Sequence, residues 1–374
     1  MKYDIKKLEV KDYEDVIQEV IVYLSKYKMV KSIYQIGGVS APGISDLDLI
    51  IVLNDNAKEF TQIWSDYIKQ QSKNSKYIFT HYPFLVNEEI FGNGDFLKIF
   101  PVFNLIYISG KEYDITLKYG QYEYISNYLD ANLPYWSAEF SKEKNNSIRQ
   151  NLLRLHSFIY PLTMIKNITN YENDQIQEFI STIKEIRKNI FKLDNTIIEN
   201  TINSLTDKAK DISIKINSVM SEYIKSKLDN INLDLNISIY DNRYNVSNNK
   251  NQRNTYLTTY LLIGVVIYFN QDSFVKKYIQ GSININNYES DLIRLEKKVF
   301  YRELQDVYEI KIKVFDKYID WLIDTQLGWG RLSTPLFTSF LSYFTTIPEN
   351  YDNKLKHFIK MLLSKYRFNK SLKK

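Results

Sequence analysis

The stretch IYQIGGVSAPGISDLDLIIVL, residues 33–53, decides how the first part of the chain folds. It opens as a short apolar run, residues 33–36, and halts at Gly37-Gly38. It then passes through small residues, Pro42 and Gly43, and re-enters an apolar run through Asp46-Leu47-Asp48. Short apolar runs bounded by glycine and proline read as buried strands. The expectation is two strands, 33–36 and 46–53, joined by a tight loop. In a strand, residues i and i+2 point to the same face. Asp46 and Asp48 are therefore expected side by side, with Leu47 and Leu49 on the opposite face. Neighbouring carboxylates repel each other unless positive charge lies between them.

Working outward, Val16, Ile17, Val20, Ile21 and Leu24 recur at helical spacing, which predicts a helix over 13–27. A second helix is predicted over 57–71, with Phe60, Ile63, Trp64 and Ile68 on one face. Residues 76–86 (KYIFTHYPFLV) read as a third strand broken by Pro83. Residues 99–110 (IFPVFNLIYISG) read as a fourth strand or a buried helical turn. The order helix, strand, strand, helix, strand predicts an α+β class with a small mixed sheet and packed helices. That unit is assigned to residues 1–140, and residues 141–374 to a mainly helical region. One segment of the second region alternates strictly: Ile231, Leu233, Leu235, Ile237 and Ile239 share a side, as in a half-buried strand. A polar loop carries it toward the apolar run 260–269, which predicts a hairpin near 231–269.

Composition narrows the partners. The chain has 374 residues, 49 basic and 44 acidic, and no cysteine. Disulfides, thiolate metal sites and cysteine nucleophiles are excluded. The basic excess is small, and no basic cluster interleaved with aromatics is present, so nucleic acid is not an expected partner. The charged N-terminus lacks the apolar core of a signal peptide. The run 260–269 is far short of the ~20 apolar residues that cross a bilayer. A cytoplasmic protein with no membrane partner is expected.

The glycine turn and the acid pair carry chemistry. Glycine lets a backbone approach a ligand closely, and amides exposed in such a turn can bind phosphate oxygens. Ser40 and Ser45 either add hydroxyl donors or are plain loop residues. Asp46 and Asp48 are candidate ligands for a divalent cation, and Mg²⁺ favours carboxylate oxygens together with phosphate. A phosphate-gripping turn, a short loop and a paired-carboxylate strand suit nucleotidyl transfer from an NTP. His156, in an apolar helical stretch, reads as a core or interface histidine. His357 reads as a surface residue, and the Gly/Pro-containing segment 327–337 as a packed loop.

In order and spacing, Gly37-Gly38 followed by Asp46-Leu47-Asp48-Leu49 resembles the signature of the nucleotidyltransferase superfamily, with its polymerase-β-like fold, over roughly residues 15–110. The resemblance implies that Gly37 and Gly38 hold a triphosphate, and that Asp46 and Asp48 bind catalytic Mg²⁺ or Mn²⁺. It also implies a third acid from a later strand. The predicted strand 76–86 has none; His81 is its only good metal ligand, and imidazole suits Mn²⁺ better than Mg²⁺. Glu88, Glu89 and Asp95 follow in an expected loop. The expected activity is transfer of a nucleotidyl group from an NTP to a hydroxyl of an acceptor, whether small molecule, sugar or protein. The rival is a catalytically inactive protein of the same fold that binds nucleotide or a partner.

Overall fold

The computed structural model describes residues 3–55, 57–80, 83–100, 102, 104–131, 147–228, 237–239, 283–285, 293 and 296–325. His81, His357, the apolar run 260–269 and the segment 327–337 lie outside the described residues.

The fold is α+β. Helix α1 (Val10–Leu24) leads into β1 (Val30–Ile36) and β2 (Asp48–Leu53). Helices α2 (Phe60–Gln70) and α3 (Lys73–Ile78) precede β3 (Phe84–Asn87); α4 (Glu88–Gly92) and α5 (Asp95–Ile99) precede β4 (Leu105–Gly110). The four strands form one mixed sheet in the order β3-β2-β1-β4. β1 runs antiparallel to β2 and to β4, while β2 and β3 are parallel. A parallel pair cannot be closed by a tight turn, so the chain returns through α2 and α3 to start β3.

β2 is central, and Leu49 to Leu53 are buried without interruption. A strand covered on both faces reads as a continuous apolar run rather than an alternating one. Each such side chain contributes about 1.5–3 kcal/mol on burial. α1 buries Tyr13, Val16, Val20 and Leu24.

Several local expectations are corrected. α2 does bury Phe60, Ile63 and Trp64, but Tyr67 completes its inner face and Ile68 is exposed. The predicted strand 76–86 begins as helix: the Ser72 hydroxyl accepts from the Ser75 amide and caps α3, and Ile78 enters the core. Strand geometry starts only at Phe84, after Pro83. Residues 99–110 hold both expected forms, the end of α5 and the edge strand β4. Glu88, Glu89 and Asp95 sit in α4 and α5, not in a loop. Asp46 lies just before β2 rather than in it.

Beyond α6 (Gln121–Ala131) the described chain is mainly helical: α7 (Ile148–Ser157), α8 (Ile159–Thr169), α9 (Asp174–Asn189), α10 (Asn195–Lys227) and α11 (Val299–Asp324). The alternating segment yields β5 (Ile237–Ile239), which pairs antiparallel with β6 (Ile283–Ile285); the run 260–269, the other arm of the expected hairpin, lies outside the described residues. These helices pack on the sheet unit. The Tyr318 hydroxyl on α11 donates to the Leu85 carbonyl of β3 at 2.7 Å, and its ring meets Phe96 edge-on. Buried side chains from Ile5 to Leu322 form a continuous hydrophobic cluster. No helix among the described residues is long and apolar enough to cross a membrane.

Candidate functional site

β1 and β2 pair in a register that sets Ile36 opposite Asp48. The glycine turn leaving β1 and the acid pair entering β2 therefore lie at the same end of the sheet. The parallel neighbour reaches this end too. Ile50 is in register with Phe84, near the start of both strands. The Thr80 hydroxyl donates to Asp46 Oδ2 at 2.7 Å. Asp46 and Asp48 are both half-buried, and Leu47 and Leu49 between and beyond them are buried.

Gly37 adopts φ +70°, a left-handed conformation that favours glycine. Its amide donates to the Asn104 carbonyl at 2.9 Å, so Gly37 anchors the turn to the start of β4 and has no amide left for a ligand. Gly38 is exposed, and a Cβ built on it would meet nothing within 4 Å. The amides of Gly38 and Val39 have no backbone partner among the described residues. The part of the turn that a ligand could reach is thus Gly38-Val39, one step beyond the residue that holds it in place.

The loop between the turn and the acids is fixed by two buried arginines from the helical region. Arg149 on α7 is 6% exposed. Its Nε donates to the Ile44 carbonyl at 3.1 Å, Nη1 to the Tyr77 carbonyl at 2.6 Å, and Nη2 to the Ser45 and Ile78 carbonyls at 3.1 and 3.4 Å. Its guanidinium also lies over the Tyr77 ring, 4.1 Å from the centroid. Arg187 on α9 is 5% exposed. Its Nη2 donates to Ser45 Oγ at 3.1 Å and lies 3.5 Å from Ser40 Oγ, while Nη1 reaches the Leu152 carbonyl at 3.4 Å. Burial pulls the Arg187 guanidinium down to about 10, against the field of Asp46, which favours its charged form. It stays fully charged at neutral pH.

Ser45 is buried. Its hydroxyl accepts from Arg187 and from the Ala41 amide, and its carbonyl accepts from Tyr13 and Arg149. These bonds turn Ser45 inward, to hold the loop; Ser40 is exposed. His156 is half-buried on α7. Burial, then the nearby charges of Arg187 and Lys184, lower it to about 4, so it is neutral at pH 7. This agrees with the expected core or interface histidine.

The two arginines escaped the sequence reading because they lie more than 100 positions from the acids. A signal was present. Arg187 follows Ile183 by four and precedes Ile190 by three, so it falls on the buried stripe of α9. An arginine on an apolar stripe needs a specific partner.

Gly43 in the same loop has φ +85°, and a Cβ there would lie 2.2 Å from the Lys6 carbonyl oxygen. Gly43→Ala should cost at least ~2 kcal/mol in urea unfolding, from backbone strain and the clash together. A stability within 0.5 kcal/mol of the parent, as an approximate threshold, would mean the loop can move freely.

The donor set can be tested against a cation. Among the described residues no group of three His, Asp or Glu side chains is placed to hold a metal ion. Glu88 pairs with Lys111 at 2.7 Å, Asp95 with Lys98 at 2.7 Å, and Glu89 with Lys317 at 3.6 Å. The site therefore offers Asp46 and Asp48. Mg²⁺ commonly takes one or two carboxylates plus substrate phosphates and keeps waters, so this pair fits an ion that arrives with phosphate better than an all-protein cage. A cavity of about 390 Å³ lies elsewhere, lined by Asp12, Asp15 and Glu19 of α1 and by Ser72, Lys73 and Asn74. Its three carboxylates would repel a triphosphate, so the end of the sheet at Gly38 and Asp46/Asp48 is the better candidate.

No protein-family model, curated protein or solved structure matches the chain.

Proposed function

We propose that the protein is a metal-dependent nucleotidyltransferase, with the site at the Gly38-Val39 turn and Asp46/Asp48. The observation that carries this reading is the Ile36–Asp48 register, which brings an open glycine turn and a carboxylate pair to one sheet end. Gly38 and Val39 bind triphosphate oxygens through their amides, and Asp46 and Asp48 hold Mg²⁺ or Mn²⁺. When bound, the cation neutralises triphosphate charge and polarises the α-phosphoryl group. An acceptor hydroxyl attacks the α-phosphorus and gives up its proton to solvent, the bond to the pyrophosphate oxygen breaks, and pyrophosphate leaves. Thr80 holds Asp46, while Arg149 and Arg187 hold the loop that delivers it. The helical region closes over this end and selects the acceptor. A cysteine-free chain that uses NTP in this way belongs in the cytoplasm.

A second reading has its own support. The later acids Glu88, Glu89 and Asp95 are each tied to a lysine, and none is grouped with Asp46 and Asp48. Without a third acid to orient a general base, worth ~10²–10⁴ in rate, the protein would bind Mg·NTP and turn it over slowly or not at all.

Gly38→Val separates binding from folding. Gly38 has no positive φ and open space at its Cβ, so the melting temperature should stay within about 2 °C of the parent. The isopropyl group would occupy the space a phosphate needs, so Mg·ATP affinity by calorimetry should fall by roughly 10-fold or more. Unchanged affinity would remove the turn from the site. Calorimetry of each Mg·NTP, followed by incubation with labelled NTP and candidate acceptors, tests the activity itself.

A further inference from the structure

We propose that Arg187, reaching from the helical region into the loop before Asp46, is a resident cation of the site and limits it to the one divalent ion that arrives with the nucleotide. The proposal rests on the nucleotide reading above, and it concerns metal stoichiometry, which that reading leaves open.

The geometry is specific. Arg187 Nη2 lies 3.1 Å from the hydroxyl of Ser45, the residue immediately before Asp46, and Arg187 as a whole is buried. It cannot swing away into water without leaving Ser45 and the Leu152 carbonyl. Because the guanidinium is bonded to the hydroxyl of the residue before Asp46, the Asp46 carboxylate favours its charged form. A charge held so close to a half-buried carboxylate is poorly screened by solvent. Counted formally, the two carboxylates are matched by two guanidiniums, Arg187 on the Ser45 hydroxyl and Arg149 on the Ser45 carbonyl, so the loop end of the site carries little net charge. A hydrated dication gains little there by itself, because the carboxylates are already compensated and Arg187 repels the ion. A triphosphate changes this by adding several negative oxygens, and the ion then bridges phosphate and carboxylate. The same argument disfavours a second ion at Asp46. The lysine pairs of Glu88, Glu89 and Asp95 leave those carboxylates engaged elsewhere.

Mn²⁺ alone, titrated into the full chain and read by electron paramagnetic resonance, tests the charge directly. The parent and Arg187→Lys should bind free Mn²⁺ weakly. Arg187→Met, which keeps length but removes the charge, should bind it roughly 10-fold more tightly. A merely structural role predicts the opposite: a loosened loop binds the ion equally or less well, and that result would overturn the proposal. Should Arg187→Met fail to fold, the parent protein still decides. With Mn²⁺ and α,β-methylene-ATP, one ion per bound analogue is expected. Two ions per analogue would overturn the single-ion proposal and leave the nucleotide reading standing. If the analogue does not bind at all, the nucleotide reading falls and the single-ion proposal falls with it.

Discussion

Asp48→Asn should abolish Mg²⁺-dependent nucleotide turnover, by roughly 10³-fold or more, and leave the protein as stable as the parent or slightly more so. A cation at a phosphoryl centre supplies several kcal/mol of charge stabilisation, and each 1.36 kcal/mol is a factor of ten. Asparagine keeps the shape of the side chain and removes half the charge of the carboxylate pair. Asp48 opens β2 opposite Ile36, so the change removes repulsion with Asp46 and touches no packed apolar surface. Asp46→Asn should lose turnover equally but should also lower the melting temperature. Asp46 accepts from Thr80 and provides favourable field at the buried Arg187, and an amide does neither job as well. The contrast between the two variants is the informative result. Equal stability losses would mean that Arg187 does not feel Asp46. A folded Asp48→Asn protein with full turnover, or with unchanged Mg²⁺ dependence of nucleotide affinity, would take Asp48 out of the site.

The parts of this arrangement that are local were legible in the sequence. A run of five apolar residues after Asp48 can only be a strand covered on both faces or a buried helix, and the flanking glycine and proline favour the strand. The α+β class and the helical character of the later chain follow from the same periodicities. What failed to be legible depends on distant partners. The run KYIF is short, so periodicity could not tell helix from strand; the Ser72 cap and the Tyr67–Ser75 hydroxyl pair decide it. The start of β2 is displaced from Asp46 to Asp48 because Tyr13 and Arg149 both bind the Ser45 carbonyl and draw the backbone out of line. Tyr67 replaces Ile68 on the inner face of α2, since a tyrosine can bury its ring once its hydroxyl has a partner. Gly37 and Gly38 look alike as letters. Only the backbone separates the one that anchors the turn from the one that faces open space.

Arg149→Ala should cost the fold roughly 3–5 kcal/mol, the largest stability effect of any single change considered. Arg149 is buried, and its guanidinium donates to four backbone carbonyls, those of Ile44, Ser45, Tyr77 and Ile78. Alanine leaves acceptors on two different segments without that donor and removes the cation from the face of Tyr77, a contact worth ~0.5–2 kcal/mol by itself. The four bonds are not additive, so the estimate sits below their sum. Arg149→Lys should recover less than half of the loss. An ammonium on a flexible stem cannot span Ile44 on one side and Tyr77 on the other, which the planar fork of arginine does. That incomplete rescue also tests the site. The four carbonyls flank Asp46 on its own segment and Thr80 on the next, so the clamp sets the distance between the acid pair and its neighbour strand. In an Arg149→Lys protein that remains folded by circular dichroism, Mg·ATP affinity should fall even though no residue touching nucleotide has changed. Retained affinity alongside a lowered melting temperature would show that the clamp supports the fold alone, and that the end of the sheet keeps its geometry without help from the helices.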